Sequence, residues 1–139
     1  MGVSLCASVT PWHICDCHTV KYIRVMGDNN EVLLSRVKWC DTFGSRLRGL
    51  MLRGPLAPDE GLILVESRAS IGGTSIHMFF VGFDIAAIWL GEDRRVVHTA
   101  LARKWHPYYA SPRPARYVLE APPSLLEKIS VGEMLRFEE

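Results

Sequence analysis

The sequence SIHMFFVGFDIAAIWL, residues 75–90, is the strongest indication of how this chain folds. It is almost entirely apolar, yet it contains the imidazole of His77 and the carboxylate of Asp84. A membrane-spanning helix needs roughly 20 apolar residues, so this segment is too short and carries too many ionisable groups to be one. We expect it to lie in a folded core, where a carboxylate is costly unless it is paired or hydrogen-bonded.

The composition is that of a single globular domain. The chain has 139 residues, of which 48% are hydrophobic and 22% are charged. A chain of this length can build a core without the support of metals or disulfides. Its formal net charge is +1 at pH 7. Such a balanced charge creates no general field that would attract nucleic acid, so we expect no nucleic-acid partner.

The first 18 residues differ in character from the rest. Three of the four cysteines lie there, and a cluster of potential metal ligands consists of His13, Cys15, Cys17 and His18. A Cys-x-Cys pair does not have the spacing of structural zinc sites, and no second ligand pair follows it. We therefore expect neither a metal nor another cofactor, with a metal held by this cluster as the alternative. We predict that residues 1–18 are a poorly ordered extension and that residues 19–139 form the domain.

The N-terminal sequence lacks the features of a secretory signal. No Lys or Arg precedes Lys21, and Thr10, Pro11 and His13 interrupt any apolar run. The cysteines are also not spread along the chain as a disulfide framework would be. These observations predict a cytoplasmic protein.

Beyond residue 18, short apolar runs alternate with turn-forming residues, which predicts a mainly β domain. No strand–helix–strand rhythm is present, so we expect an antiparallel β-sandwich or barrel with two short helices. The predicted strands cover residues 20–26, 31–39, 62–66, 75–81, 83–90, 95–102, 115–120 and 134–137. One helix is predicted after a cap at Asp41 or Thr42 and should end at Gly54, and the other should begin at the capping-box pattern Ser124-x-x-Glu127.

Six blocks of the sequence resemble, in order, a prokaryotic family known as domain of unknown function 192. They are RGLMLR at residues 48–53, DEG at 59–61, IHMFF at 76–80, FDI at 83–85, ARYVLE at 115–120 and VGE at 131–133. The resemblance implies a small jelly-roll-like β-sandwich, and no established biochemical activity comes with it. Members more often have a proline before the Asp step, where this chain has Gly82 and Phe83.

His77 is the first candidate functional residue. If residues 75–81 form a strand, alternation places His77, Phe79 and Val81 on one face, and both faces are apolar. We expect a neutral core histidine whose nitrogens hydrogen-bond to the backbone or to a neighbour. The alternative is a general base or a ligand contact in a cleft.

Asp84 is predicted to share a strand face with Ile88 and Leu90. A carboxylate in such surroundings must be compensated, and the candidates are backbone N–H groups and the side chains of Arg48 and Arg116. We expect a buried salt bridge that stabilises the sheet.

In the predicted strand ARYVLE, Arg116 and Glu120 lie on one face, about 13 Å apart at roughly 3.3 Å per residue. Each side chain therefore needs its own partner. A catalytic pair of Asp84 and Glu120, as in glycosidases, is the alternative to a structural network.

Residues 104–114 predict an aromatic loop punctuated by prolines. Trp105, His106, Tyr108 and Tyr109 combine flat apolar faces with polar tips, which suits a sugar, a peptide or another partner. The alternative is that these side chains fold back over the end of the domain.

Together these features predict a small β-domain that binds a small molecule, a sugar or a protein. The first alternative is a small hydrolase-like enzyme that uses His77 with Asp84 or Glu120. The second is an oligomeric structural or interaction domain that docks through the aromatic loop. The residues expected to form the site or its polar core are Arg48, His77, Asp84, Arg116 and Glu120.

Overall fold

A computed structural model describes residues 20–139 of the chain, apart from the side chains of Phe43 and Leu47. This part of the chain contains seven strands and two short helices. The strands are β1 (Tyr22–Met26), β2 (Val32–Cys40), β3 (Glu60–Ser70), β4 (Ile85–Leu90), β5 (Val96–Ala102), β6 (Ala115–Ala121) and β7 (Arg136–Glu138). The helices are α1 (Phe43–Arg48) and a 3-10 helix at Pro123–Glu127.

The strands form one sheet in the order β5-β4-β6-β3-β2-β1-β7. The mainly β prediction is confirmed. The sheet is mixed rather than antiparallel throughout, because β2 and β3 pair in parallel with Val37 opposite Gly61. A parallel pair needs a crossover connection, and α1 lies in the connection between these two strands. The other strand pairs are antiparallel.

The sheet curls around an apolar cluster on its first face. Fully buried members of this cluster come from five strands and the segment before β7: Val25, Val37, Ile63, Ile88, Leu119 and Leu135. Val96 exchanges backbone hydrogen bonds with Gly132 and Glu133, which brings the segment before β7 against β5. Within residues 20–139, however, β5 and β7 do not pair with each other, so the sheet is not a closed barrel.

Two connections cover the second face of the sheet. One is α1 with the residues that follow it, and the other is the segment between β3 and β4. Leu50, Met78 and Val81 from these connections are buried in a second apolar cluster with Trp89 and Val118 of the sheet. The candidate site lies on this second face.

Residues 75–81 do not form the predicted central strand. The segment crosses the second face as turns and irregular backbone, and its one β-bridge joins Ile76 to Tyr109. Ile76 and Met78 are buried in alternation, as in a strand, but they pack onto the sheet rather than within it. Phe80, with a φ of +61°, also interrupts any extended run. The following strand accordingly begins at Ile85 and not at Phe83.

Both predicted helices are present in shorter forms. Thr42 caps α1, as one of the two predicted caps, by accepting a hydrogen bond from the backbone N–H of Ser45 at 3.2 Å. The second helix is a 3-10 helix that follows Pro122, without the predicted side-chain cap from Ser124. Neither helix, nor any other in the described part of the chain, is long and apolar enough to cross a membrane.

Candidate functional site

A pocket of about 350 Å³ lies between the second face of the sheet and the two connections that cover it. Strands β3, β4 and β6 form its inner wall. The lining from the sheet is Leu64, Glu66, Ile85, Val118 and Glu120, and the main lining from the connections is Arg46, Arg48, Gly49, Leu50, Met51, Thr74, Ser75, Ile76, His77 and Met78. Its volume falls within the range of about 300–1,000 Å³ that is typical of small-molecule sites.

The end of α1 forms one side of the pocket. The helix stops at Arg48 because Gly49 adopts a φ of +43°, a conformation that residues with a side chain rarely take. The guanidinium of Arg46 donates to the backbone carbonyl of Val65 at 2.8 Å and lies 3.3 Å from the carboxylate of Glu66. These contacts hold the helix end against β3, while Arg48 is exposed at the pocket mouth.

The segment between β3 and β4 forms the opposite side. The indole N–H of Trp89, in the core of β4, donates to the backbone carbonyl of Thr74 at 2.8 Å. The hydroxyl of Thr74 donates to the carbonyl of Ser70, also at 2.8 Å. The backbone N–H of Gly73 donates to the hydroxyl oxygen of Ser70 at 3.0 Å, and a β-carbon on Gly73 would lie 2.6 Å from that oxygen, so the Ser70 side chain would have to move. The segment therefore has a defined position over the sheet.

His77 lies further along the same segment and lines the pocket. It is half-buried, and its Nδ1 accepts a hydrogen bond from the backbone N–H of Phe79 at 3.3 Å. A neutral imidazole that accepts at Nδ1 carries its proton on Nε2. The ring is thus a donor at Nε2 while it remains neutral.

Glu120, in β6, is the most unusual group in the pocket. The residue is only 6% exposed, and its Oε2 atom has no hydrogen-bond partner among the described residues. Burial without a compensating charge raises the pKa of the Glu120 carboxyl from 4.5 to about 7. A buried acceptor that lacks a donor costs free energy relative to water. The pocket therefore holds an acceptor that the described protein leaves unsatisfied.

Three of the five predicted site residues come together. Arg48, His77 and Glu120 all line the pocket, whereas Asp84 and Arg116 are not part of its lining. The Nε of Arg116 donates to the backbone carbonyl of Glu66 at 3.0 Å, so Arg116 and Glu120 do have separate surroundings.

The prediction of an ion pair between Asp84 and Arg48 or Arg116 is wrong. Asp84 lies before β4 and accepts a hydrogen bond from the backbone N–H of Lys104 at 2.9 Å. In the register of β4 and β6, Ala87 is opposite Glu120, so the odd-numbered residues of β4 share the face of Glu120. The same alternation, continued back from Ile85, would place Asp84 on the face opposite to that of Glu120. Among the described residues Asp84 has no ion pair.

The aromatic loop combines its two predicted arrangements. Tyr109 folds back, bridges to Ile76 and accepts a hydrogen bond from the backbone N–H of Arg103 at 3.0 Å. The ring of His106 lies 4.6 Å from that of Tyr109. Trp105 and Tyr108 are more than half exposed. The loop therefore supports the segment that covers the pocket, without lining the pocket itself.

Most of the pocket lining was not predicted from the sequence, and this includes Arg46, Gly49 and Glu66. Gly49 had a usable signal, because a glycine inside an apolar helical pattern often marks the end of a helix. Ending the helix there would have placed Arg46 in its last turn. No comparable signal identifies Glu66, which follows an ordinary apolar strand.

No three His, Cys, Asp or Glu side chains within residues 20–139 are grouped so that they could hold a metal ion. The predicted alternative of a metal cluster at His13, Cys15, Cys17 and His18 lies outside the described residues, as does the predicted extension over residues 1–18. Cys40 is a buried free thiol whose pKa is raised to about 11, mainly by burial.

The chain matches a known family. The family model described as "Uncharacterized ACR", the domain of unknown function 192, matches residues 24–137, so the chain belongs to this family and the predicted resemblance is confirmed. A UPF0127 protein of Thermococcus kodakarensis is 40% identical over 98 residues, which are 70% of this chain and 60% of that protein. The chain thus spans about 60% of the length of the curated relatives that it first matches.

Two solved structures share the fold. A protein of unknown function from Novosphingobium aromaticivorans has a TM-score of 0.73 at 23% identity, with 94% of each chain covered. A protein from Sinorhizobium meliloti, named provisionally as a transcription regulator, has a TM-score of 0.73 at 20% identity, with 84% of this chain and 92% of that chain covered. At these identities the likeness shows the fold alone.

Proposed function

We propose that this member of the family binds a small molecule in the pocket between α1 and the sheet. The observation that carries the proposal is the Oε2 atom of Glu120, which is buried in the pocket wall without a hydrogen-bond partner. Leaving a buried acceptor unsatisfied costs about 1–3 kcal/mol, and more for a charged group. A ligand that donates a hydrogen bond to this oxygen would recover that free energy.

The rest of the lining supports a compact, largely apolar ligand. Leu50, Ile76, Met78 and Val118 provide apolar surface, and only a few polar groups are added to it. Small-molecule sites typically combine apolar walls with a small number of placed polar groups. A sugar, with hydroxyls on all sides, would leave most of its polar groups unpaired against these walls.

A role for Glu120 as a general acid or base is the second candidate function. The pKa of its carboxyl, raised to about 7 by burial, lies where proton transfer at neutral pH is most efficient. His77 lines the same pocket and supplies an imidazole. Asp84, the other predicted partner of His77, does not line the pocket and therefore has no part in this mechanism.

We further propose a cytoplasmic location. It is supported by Cys40, the described cysteine, which is a free buried thiol. Fractionation of cells that express the protein at its natural level tests this proposal, and recovery in the membrane or extracellular fraction would overturn it.

A thermal-shift screen of small molecules tests ligand binding. A ligand at 100 times its dissociation constant should stabilise the protein by about 2.7 kcal/mol, which gives a clear shift. The matched variants are Ser75→Trp, which places an indole in the pocket, and Ser67→Trp, which places one on an exposed position of β3.

We expect pocket ligands to stabilise the unmodified protein and Ser67→Trp but not Ser75→Trp, with folding of both variants checked by circular dichroism. Equal shifts for the two tryptophan variants, or no ligand from a broad library, would overturn the proposal.

A further inference from the structure

We propose that the ligand of this pocket is a primary amine with an apolar body, and that its ammonium group binds between Glu120 and the end of α1. This inference rests on the proposed function, since it names the class of molecule that the same pocket receives.

The position beside Gly49 is the key feature. A β-carbon on Gly49 would lie 3.5 Å from the backbone carbonyl oxygen of Arg46 and 3.9 Å from Oε2 of Glu120. Apart from Gly49 and its chain neighbours, no other described heavy atom lies within 4 Å of that position. A ligand atom cannot occupy this position, which is one bond length from the Cα of Gly49, but the missing side chain leaves room for a ligand group beyond it, and the two atoms nearest to it are both hydrogen-bond acceptors.

An ammonium group suits such a space better than other donors do. It offers three N–H donors and no acceptor, so it can bond to the carboxylate and to the carbonyl together. A hydroxyl offers one donor and would satisfy only one of the two oxygens. A hydrogen bond between an ammonium and a carboxylate is also charge-assisted and roughly twice as strong as a neutral one.

Among the charged groups of residues 20–139, none pairs with the carboxylate of Glu120. The Arg46 guanidinium is engaged by the carbonyl of Val65 and the carboxylate of Glu66, and Arg116 is engaged by the carbonyl of Glu66. Arg48 is exposed at the mouth. Desolvation is the cause of the raised pKa of Glu120, with no lowering by a nearby cation. A cation supplied by the ligand would therefore be the first to compensate this carboxylate.

The apolar body of the ligand follows from the remaining walls. Leu50, Ile76, Met78, Ile85 and Val118 surround the volume that an ammonium at Gly49 would leave free. An alkyl or arylalkyl chain would fill that volume, whereas a polyamine would bring further charges into apolar surroundings. The ligand class is thus an amine with one charged end.

The test is calorimetric titration of the full chain at pH 8 with three molecules of matched shape: 3-phenylpropylamine, 3-phenylpropan-1-ol and 3-phenylpropionate. At this pH the amine is protonated and most of Glu120 is ionised. We expect the amine to bind at least 10-fold more tightly than the alcohol, and the carboxylate to bind most weakly.

Substitutions test whether the preference for the amine arises from Glu120 and Gly49. Glu120→Gln should weaken amine binding at least 10-fold while alcohol binding changes less than 3-fold. Gly49→Ala, which places a methyl group in the open space, should also weaken amine binding. Glu127→Gln and Gly54→Ala, at exposed positions outside the pocket, should leave both affinities unchanged.

Two results would overturn the amine proposal alone: the alcohol binding as tightly as the amine, or Glu120→Gln retaining its affinity for the amine. The same holds if none of the three molecules binds but the library screen finds pocket ligands of another class. Failure of both experiments would count against the proposed function as well.

Discussion

The indole N–H of Trp89 donates a 2.8 Å hydrogen bond to the backbone carbonyl of Thr74. Trp89 is fully buried in the sheet, and Thr74 lies in the segment that covers the pocket. This bond therefore connects the buried centre of the sheet to one wall of the site.

Trp89→Phe should destabilise the protein by about 1–3 kcal/mol, because the carbonyl of Thr74 would be left buried without its donor. Trp39→Phe is the control, since Trp39 packs against the first face and has no indole hydrogen bond among the described residues. Urea denaturation compares the two. If Trp89→Phe loses no more stability than Trp39→Phe, the hydrogen bond does not anchor the segment.

Gly49→Ala should cost about 1–2 kcal/mol of stability. A residue with a β-carbon is strained at a φ of +43°, although the space beside Gly49 is open. Gly72→Ala, at an exposed position with no atom near the added methyl group and without a positive φ, should be nearly neutral. Matching midpoints for the two variants in thermal unfolding would contradict the strain at the end of α1.

Asp84→Asn should cost less than about 0.5 kcal/mol, since the amide oxygen of asparagine can still accept from the backbone N–H of Lys104. Asp84→Ala removes the acceptor and should cost about 1 kcal/mol. Chemical denaturation at pH 7 measures both. A cost of about 3–5 kcal/mol for the asparagine variant would instead indicate that a buried ion pair had been broken.

Glu120 should make the stability of the protein depend on pH. Its carboxyl has a pKa of about 7 in the folded protein against 4.5 when unperturbed, so the folded state holds a proton that the unfolded state releases between these values. The resulting stabilisation is complete below pH 4.5 and is lost as the pH rises through 7. The difference amounts to about 3 kcal/mol.

Glu120→Gln should remove this loss, so the variant should gain stability relative to the unmodified protein between pH 5 and pH 8. Glu127→Gln, at an exposed position, should follow the unmodified protein at both pH values. The free energy of unfolding in urea at each pH provides the comparison. Parallel behaviour of all three proteins would show that Glu120 titrates normally.

Some of this arrangement could be predicted from the sequence. The alternation in ARYVLE correctly placed Val118 and Glu120 on one face, and both line the pocket. The strand predicted over residues 83–90 is present as Ile85–Leu90, and all of its residues are buried. In these segments the strand period and the burial pattern coincide, so the local sequence is enough to predict the strand and the face on which each side chain lies.

Other parts depend on contacts that no local pattern contains. Ile76 and Met78 alternate as in a strand, but whether they pack within a sheet or on top of it depends on the strands available beside them. The partner of Asp84 is the backbone N–H of Lys104, which the pairing of Ile85 with Ala102 brings close, and the sequence around Asp84 does not contain that pairing.

The most direct test of the account is the pKa of Glu120 itself, measured in the free protein by NMR titration of its carboxyl carbon after ¹³C labelling. The signal is assigned by its absence in Glu120→Gln. We expect a midpoint near pH 7, because burial without a partner raises the pKa of this carboxyl. A midpoint at or below 4.5 would show that Glu120 is solvated or already paired, and would remove the reason to expect a ligand at this position.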